Sequence, residues 1–500
     1  MINKEQLYQK FSTAVLWNSV LFFINKISKT AISFLLFSKL VSHDFSVWAN
    51  VYSFVFIFEL WTDFGFRRAL PQYCLIFTKN NKDKKSFIFK VIIFKILVSL
   101  IVNLFFLIFT PQIASFLKLQ NYVAYFYLGC LLFFVSGIKS VLQLIFYSYF
   151  WQRAFNLTES FIITLHIISI FIAISIYHSS ASILYFTFIS QIIATCVMIA
   201  VASFMLRFLL KDQDYQGKQR LNTKRIMKDF IRHSSAMWGV ISINSLTERN
   251  FLLPFLTYTL GHNFANIFKV ANDAALLFQR FVIKSIGTTG TSLFSHVETR
   301  QLKKSNLSPS DLVAKEENRG HLQQSNNDRS EVKSNLLLLD IFQKLMKRTI
   351  SLVFPLFGIL LFIFLKSRQG NIKLLYFSSA NQYIFKIFLL LATLYLTQII
   401  FMAYERILEV KRLYKKLFIS FTPYVGIILF FVYCLYVTTP LTLPFILLFI
   451  HSLRILSLSI RIGYSKLLFH FKFPIKYSLI FATSTLLATL SLYFVFFIFS

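Results

Sequence analysis

Hydrophobic residues run along this chain in blocks of roughly 20, separated by short polar segments rich in Lys and Arg. A helix of about 20 apolar residues is what crosses a ~30 Å hydrocarbon core. In lipid the backbone has no water to bond, so a spanning segment of this kind is helical. Segments such as Phe87–Phe109 and Tyr477–Phe499 lack the polar face that a helix on a soluble core would show. The pattern predicts spans near 14–38, 47–66, 87–109, 122–150, 159–176, 183–206, 233–258, 264–295, 349–365, 381–404, 417–436, 444–460 and 477–499. The fold class predicted is an all-α polytopic membrane protein with roughly 12–14 transmembrane helices.

The basic residues give the orientation. If the N-terminus is cytoplasmic, the polar segments on that side carry 36 Lys and Arg, and those on the other side carry 5. That asymmetry is the positive-inside pattern. Its weak point is Lys366, Arg368 and Lys373, which fall in a loop assigned to the outside. An odd number of spans puts the C-terminus outside, and a helix missed or added after Leu443 would reverse that.

Composition agrees with a membrane protein. The chain of 500 residues is 56% hydrophobic, holds 62 Phe and has a mean hydropathy of +0.63. A net charge of +32 would suggest nucleic acid in a soluble protein. Here the charge is spread over loops beside hydrophobic spans, so topology accounts for it and no nucleic-acid partner is expected. The heavy use of Phe, Ile, Lys and Asn also fits an AT-rich genome. Cys74, Cys130, Cys196 and Cys434 are far apart and show no metal spacing, so neither a metal site nor a disulfide framework is expected. Met1–Thr13 is polar and is followed by no cleavage signal, which reads as mature protein.

The two halves resemble each other. Leu35-Leu36-Phe37-Ser38 leads to Ser42-His43-Asp44-Phe45 between spans one and two, and Phe255-Leu256-Thr257-Tyr258 leads to Gly261-His262-Asn263-Phe264 between spans seven and eight. The fourth span of each half closes alike, with Gln143-Leu144-Ile145-Phe146-Tyr147-Ser148-Tyr149 and Gln398-Ile399-Ile400-Phe401-Met402-Ala403-Tyr404. Both halves start on the same side, so the repeats are parallel, an architecture of transporters with the site between halves. The domains expected are an N-terminal six-helix lobe over 1–206, a cytoplasmic linker over 207–232, a C-terminal six-helix lobe over 233–460 and an extra C-terminal helix within 461–500. A cytoplasmic insertion over 296–348, with Lys315-Glu316-Glu317-Asn318-Arg319, reads as a solvated and flexible loop.

Eleven basic residues fall inside spans: Lys26, Lys29, Lys90, Lys95, Lys139, Arg249, Lys269, Arg280, Lys284, Lys386 and Arg454. A charge at the bilayer centre costs about 2.5–3.5 kcal/mol on insertion scales. Lys90, Lys95, Arg280, Lys284 and Lys386 lie near span ends, where long side chains snorkel to water. Lys26, Lys29, Arg249 and Lys269 lie deeper and are the candidate substrate-binding residues of a hydrated basic cavity. Glu59, Asp63, Glu248 and Asp273 are the candidates for ion pairing or ion coupling. Glu59 and Asp63 share a helix face and repel unless paired. Lys26 or Lys29 is one expected partner, protonation of one acid is the alternative, and Lys269 with Asp273 is another expected pair. Glu159 is placed at the edge of span five. A basic intramembrane cavity suits an anionic cargo, and a lipid with a pyrophosphate head fits: its head takes charge-assisted bonds while its tail stays in lipid.

On these residues the chain resembles the polysaccharide and oligosaccharide-lipid flippases of the multidrug/oligosaccharidyl-lipid/polysaccharide exporter superfamily. The resemblance covers roughly residues 10–460. Its most specific piece is Glu59-Leu60-Trp61-Thr62-Asp63-Phe64-Gly65-Phe66-Arg67-Arg68-Ala69, with Asn18, Asn25, Lys26, Ser28 and Lys29 on the first helix. The resemblance implies two parallel six-helix lobes in a V shape and alternating access. It implies flipping of an undecaprenyl-pyrophosphate-linked sugar toward the periplasmic leaflet of the bacterial cytoplasmic membrane. Lys26, Lys29 and Arg249 match cavity cations by helix and depth. Membrane lipids and polysaccharide-assembly proteins are the implied partners, and no cofactor is. The insertion over 296–348 and the lone extra span depart from a twelve-helix pattern.

Two other functions compete. A multidrug antiporter of the same superfamily is expected to use acids for cationic drugs, but span one holds two Lys and no acid. A membrane glycosyltransferase or polymerase is expected to use an external carboxylate, and only Asp44 lies in a segment assigned outside. Asp212-Gln213-Asp214 has a metal-binding form but lies in the linker, and no P-loop occurs. No catalytic residue is assigned, and an enzyme is not expected.

Overall fold

The structure is a computed structural model, and it describes residues 24–25, 27–76, 81–149, 151–211, 223–277, 383–395, 398, 414–436 and 442–469. The insertion over 296–348 and the spans predicted at 349–365 and 477–499 lie outside the described residues. Among the described residues all regular structure is helical. In chain order the helices are α1 (27–39), α2 (Ser42–Thr62), α3 (Phe66–Ile76), α4 (Asn81–Phe116), α5 (Val123–Ser148), α6 (Gln152–Ile176), α7 (Ser180–Lys211), α8 (Thr223–Ser245), α9 (Arg249–Leu260) and α10 (262–277). They are followed by α11 (383–395), α12 (Tyr414–Ile419), α13 (Pro423–Tyr436) and α14 (Leu443–Phe469).

Five of these stretches are long and apolar enough to cross a membrane: Lys84–Phe116, Gln120–Ser148, Arg153–Ile176, Ser180–Phe208 and Leu443–Tyr464. The chain is a multi-pass membrane protein. On α4 the residues Leu97, Ile101, Leu104, Phe105 and Ile108 are exposed apolar side chains at helical spacing. Water would penalise such a stripe, whereas lipid solvates it, so α4 presents this face to the bilayer.

The described residues fall into two compact units. The first reaches to Lys269 and the second takes the described residues from Val270 onward. In the first, α4, α6 and α7 pack around α5, while α2 packs on α5 and α9 and α3 packs on α5 and α8. Its core joins Phe66, Leu70, Tyr73, Phe87, Phe146, Phe155 and Phe230. In the second unit α13 packs on α14.

Two predicted spans are broken. The span predicted over 47–66 starts earlier, at Ser42, and ends in a turn at Asp63–Gly65 before α3. Phe64 and Gly65 have φ of 47° and 72° there. The span predicted over 233–258 is two helices, interrupted at 246–248. Around that break Ser245 donates to the Ser242 carbonyl and Thr247 to the Asn244 carbonyl, so side chains compete with the backbone ladder. Pro254 in α9 also lacks the N–H that would extend that ladder.

The first break seats α2 on α8. Trp238 Nε1 donates to the Trp61 carbonyl at 2.7 Å, and the Phe64 and Trp238 rings stack with centroids 5.4 Å apart. A Cβ on Gly65 would lie 2.2 Å from the Ser234 carbonyl oxygen and 2.7 Å from Trp238 N, so only glycine fits both the space and the left-handed φ. Gly65→Ala is expected to destabilise the protein by about 1–3 kcal/mol. A lower melting temperature in detergent, beside an unaffected Gly463→Ala control where a Cβ meets nothing within 4 Å, checks this.

Candidate functional site

A charged centre lies where α1, α5 and α6 meet. Lys139 Nζ on α5 donates to Glu159 Oε1 on α6 at 2.7 Å, and Lys29 Nζ on α1 lies 3.6 Å from the same oxygen. Asn25 Nδ2 donates to Glu159 Oε2 at 3.4 Å. Two ammonium groups thus share one carboxylate, leaving the trio with a net charge of about +1 at neutral pH. The trio is graded in exposure: the side chains are 11% exposed at Glu159, 20% at Lys139 and 45% at Lys29.

A second shell of polar groups supports it. Lys139, Gln143 and Tyr147 lie four apart along one face of α5. Gln143 Nε2 donates to Tyr147 Oη at 3.0 Å, and Tyr147 Oη donates to Asn156 Oδ1 at 2.7 Å. Asn156 and Glu159 lie three apart on α6. Farther along α6, His166 Nδ1 lies 3.0 Å from Ser190 Oγ of α7.

A second centre surrounds the turn between α2 and α3. Arg67 binds Asp63 twice, through its backbone N–H at 3.1 Å and Nε at 3.8 Å from Oδ2, and its Nη2 lies 3.6 Å from Glu59 Oε1. Lys95 is 1% exposed and donates to Thr62 Oγ1 at 3.0 Å, within electrostatic reach of Asp63 and Glu59. Gly137 lets α4 approach closely beside it, since a Cβ there would sit 2.9 Å from Ser99 Oγ. Among the described side chains, Arg67 and Lys95 set two positive charges against Glu59 and Asp63.

These placements revise several expectations. Glu59 and Asp63 take Arg67 as partner, and Lys29 pairs with Glu159. Lys95 does not snorkel, because the α2–α3 turn offers it a buried hydroxyl and two carboxylates. Glu159, expected at the edge of its span, is also buried among side chains as the centre of the charged trio. Lys26 lies outside the described residues. Lys269 is buried on α10, donates to Ser33 Oγ of α1 at 3.1 Å and lies 4.6 Å over the Trp48 ring. Ser33 is one turn beyond Lys29, so the two cations meet α1 at successive turns. Glu248 caps α9 with its backbone, its carbonyl accepting from Phe251 and Leu252, while Arg249 binds Asn250 Oδ1 at 2.9 and 3.1 Å. Asp273 is buried on α10 in the second unit.

The second unit has its own polar interior. Tyr395 donates to Asn272 Oδ1, Gln398 Nε2 lies 2.8 Å from His451 Nδ1, and the Tyr395 and His451 rings meet edge-on. Arg461 is fully buried; Nε donates to Ser420 at 2.9 Å, Nη2 to Ser457 at 3.2 Å, and the guanidinium lies 4.2 Å over Phe421.

Buried ion pairs thus lie inside a helical bundle whose outer surfaces are apolar, and comparison with solved structures identifies the fold. The chain resembles an outward-facing multidrug resistance MATE family transporter of the MOP superfamily, with a TM-score of 0.59 and 14% identity over 91% of this chain and 95% of that one. A MATE in complex with MaL6 gives a TM-score of 0.57 and 15% identity over 91% and 96%. A MOP superfamily transporter from Pyrococcus furiosus gives 0.55 and 15% over 91% and 95%. At such identities the likeness is one of fold. Residues 38–298, a little over half of the 500-residue chain, match the family model described as polysaccharide biosynthesis protein, and the chain belongs to that family. No curated protein matches the sequence.

The graded exposure predicts unequal costs. Removing the ammonium of Lys139 leaves a buried carboxylate with its more distant partner, which costs about 3–5 kcal/mol when a buried pair is broken. Lys29 is half-exposed, and its loss costs under about 1 kcal/mol. Thermal melts in detergent should therefore rank Lys139→Ala far below Lys29→Ala, with Lys139→Met/Glu159→Gln partly recovered.

Proposed function

We propose that the protein flips a polyprenyl-pyrophosphate-linked oligosaccharide from the cytoplasmic to the outer leaflet of the bacterial cytoplasmic membrane by alternating access. The product serves cell-surface polysaccharide assembly. The N-terminus lies in the cytoplasm, in keeping with the 36 to 5 division of basic residues among alternating loops. Membrane lipids and polysaccharide-assembly proteins are the partners of this reading.

The observation that carries it is the uneven trio of Lys29, Lys139 and Glu159. A pyrophosphate head bears several negative charges, and taking it from water to a helix bundle requires cations already in place. At an effective dielectric of 20, one unit charge at 4 Å offers about 4 kcal/mol to an opposite charge. Lys29 is the most exposed member, and its bond to Glu159 is the longer. It is therefore the group that turns to the cargo, while Lys139 keeps Glu159 neutralised. Lys26, Arg249 and Lys269 complete the cationic lining in this reading, with Glu59, Asp63, Glu248 and Asp273 as its counter-ions and coupling groups. The six-helix lobes over 1–206 and 233–460 are the halves that rock about it.

A second reading, a multidrug antiporter, draws on the fold shared with multidrug MATE transporters. A net-positive centre repels cationic drugs, which favours the first. The Pyrococcus furiosus neighbour, described by the reverse polarity of its binding pocket and a suggested different function, supports the idea that this fold hosts pockets of either sign.

A leaflet-specific assay in proteoliposomes tests the proposal. Polyprenyl-pyrophosphate-linked oligosaccharide should cross with the protein and stay with protein-free liposomes, and Lys29→Ala should slow crossing about tenfold or more, as loss of one charge-assisted contact implies. Equal crossing in liposomes with and without protein overturns the flippase reading, and drug-driven cation exchange replaces it.

A further inference from the structure

The two repeat-related corners, Ser42-His43-Asp44-Phe45 and Gly261-His262-Asn263-Phe264, meet each other in the first unit. Ser42 Oγ donates to Asn263 Oδ1 at 2.7 Å, and Asn266 Nδ2 donates to the Ser42 carbonyl at 2.8 Å. One turn deeper, Ser46 Oγ lies 2.8 Å from His262 Nδ1. Deeper again, Asn50 Nδ2 donates to Thr257 Oγ1 at 3.0 Å. The His43 and His262 rings lie with centroids 4.5 Å apart. Beside the seam Phe116 stacks on Tyr258 at 4.4 Å.

We propose that this seam is a proton-sensitive latch, which holds the α1–α2 corner against the α9–α10 corner and releases when His262 is protonated. The hydrogen bonds fit a neutral His262. Ser46 Oγ accepts from Asn50 Nδ2 at 3.2 Å and lies 2.8 Å from His262 Nδ1, which in the Nε2–H tautomer of a neutral ring can accept the hydroxyl proton. A proton on Nδ1 would remove that acceptor.

The charged groups around the rings act in the same sense. Burial above all, and then the neighbouring His43 and Lys118 at the corner between α4 and α5, disfavour a cation at His262, so its imidazole is held below the ordinary histidine range. Asp44 is the nearby acid, but it is buried and bound to Tyr122. A histidine whose proton affinity is depressed in the closed seam binds its proton better when the seam opens. The latch is thus fully held above the ordinary histidine value of about 6.5 and weakens as pH falls below it. In the topology proposed above this end faces the outside, so the latch reads external acidity.

The test is crosslinking within the full-length protein in liposomes, which needs no cargo and so stands apart from the flipping assay. Cys196→Ser and Cys434→Ser remove the two cysteines that are not fully buried, and Ser42→Cys with Asn263→Cys places thiols across the seam. Crosslinked peptide, counted by mass spectrometry, is expected to fall at least threefold from pH 8 to pH 5.5. The same pair in a His43→Gln/His262→Gln background corrects for thiol reactivity and should keep the crosslink at low pH. His262→Asn alone retains a hydrogen-bonding side chain and should remove most of the response. An equal pH response with and without the histidines, or none in their presence, overturns the latch. Buffering each face in turn gives the side: a response to external pH is expected, and one confined to internal pH overturns the external assignment.

Discussion

A charge inside a membrane has to find its opposite, and the arrangement of this protein follows from that requirement. Lipid cannot solvate an ammonium or a carboxylate, so each buried ion draws neighbouring helices into a fixed register. Glu159 ties α1, α5 and α6 together through Lys29 and Lys139. Arg67 ties α3 back to the end of α2 through Asp63 and Glu59, and Lys95 adds α4 at Thr62. Apolar packing alone would leave these helices free to rotate, since their lipid-facing and inward faces are similarly greasy. The ion pairs decide which face turns inward. The Glu159 centre then differs from the α2–α3 turn in a way that matters: the turn balances its charges, and Glu159 is outnumbered.

Much of this was legible in the sequence. Hydrophobic blocks mark membrane helices because helix length is fixed by bilayer thickness. The described helices α4 to α7 follow the predicted spans closely, although α4, at Asn81–Phe116, overruns its predicted 87–109 at both ends because helix geometry continues past the hydrocarbon. The breaks at Asp63–Gly65 and 246–248 fall in locally polar stretches inside spans that were read as continuous. Gly65 with its acidic and basic neighbours was the available signal, and at 246–248 it was the run of Ser, Asn and Thr that can bond to the backbone.

The site was only half legible, for a physical reason. Depth in a span says what a charge costs, but pairing depends on which helices adjoin, and sequence order does not state that. Lys29 was singled out by depth, yet its partner Glu159 lies 130 residues away on a helix whose edge it seemed to occupy. Lys139, Gln143 and Tyr147 formed a readable polar stripe at four-residue spacing on α5. The repeat offered another clue. Gln143 and its counterpart Gln398 each make a buried or part-buried bond inside their own unit, to Tyr147 and His451. A glutamine held in the same place in both halves is a mark of interior polarity rather than of a loop.

The two ends of helix α2 are held in chemically different ways, by α8 at one end and by α9 and α10 at the other. At Gly65 the contact is dry and backbone-tight, with no side chain to compress. At Ser42 to Asn50 it is a row of replaceable hydrogen bonds. The 21 residues of α2 make a rod of about 30 Å between these ends. A rod held at one end by a hard contact and at the other by soft ones is a lever with its fulcrum at Gly65. Tilting a rod of that length by about 5° moves its far end by roughly 2.5 Å, enough to take a hydrogen bond beyond its range. A small tilt about the glycine end would therefore appear largest at the histidine end.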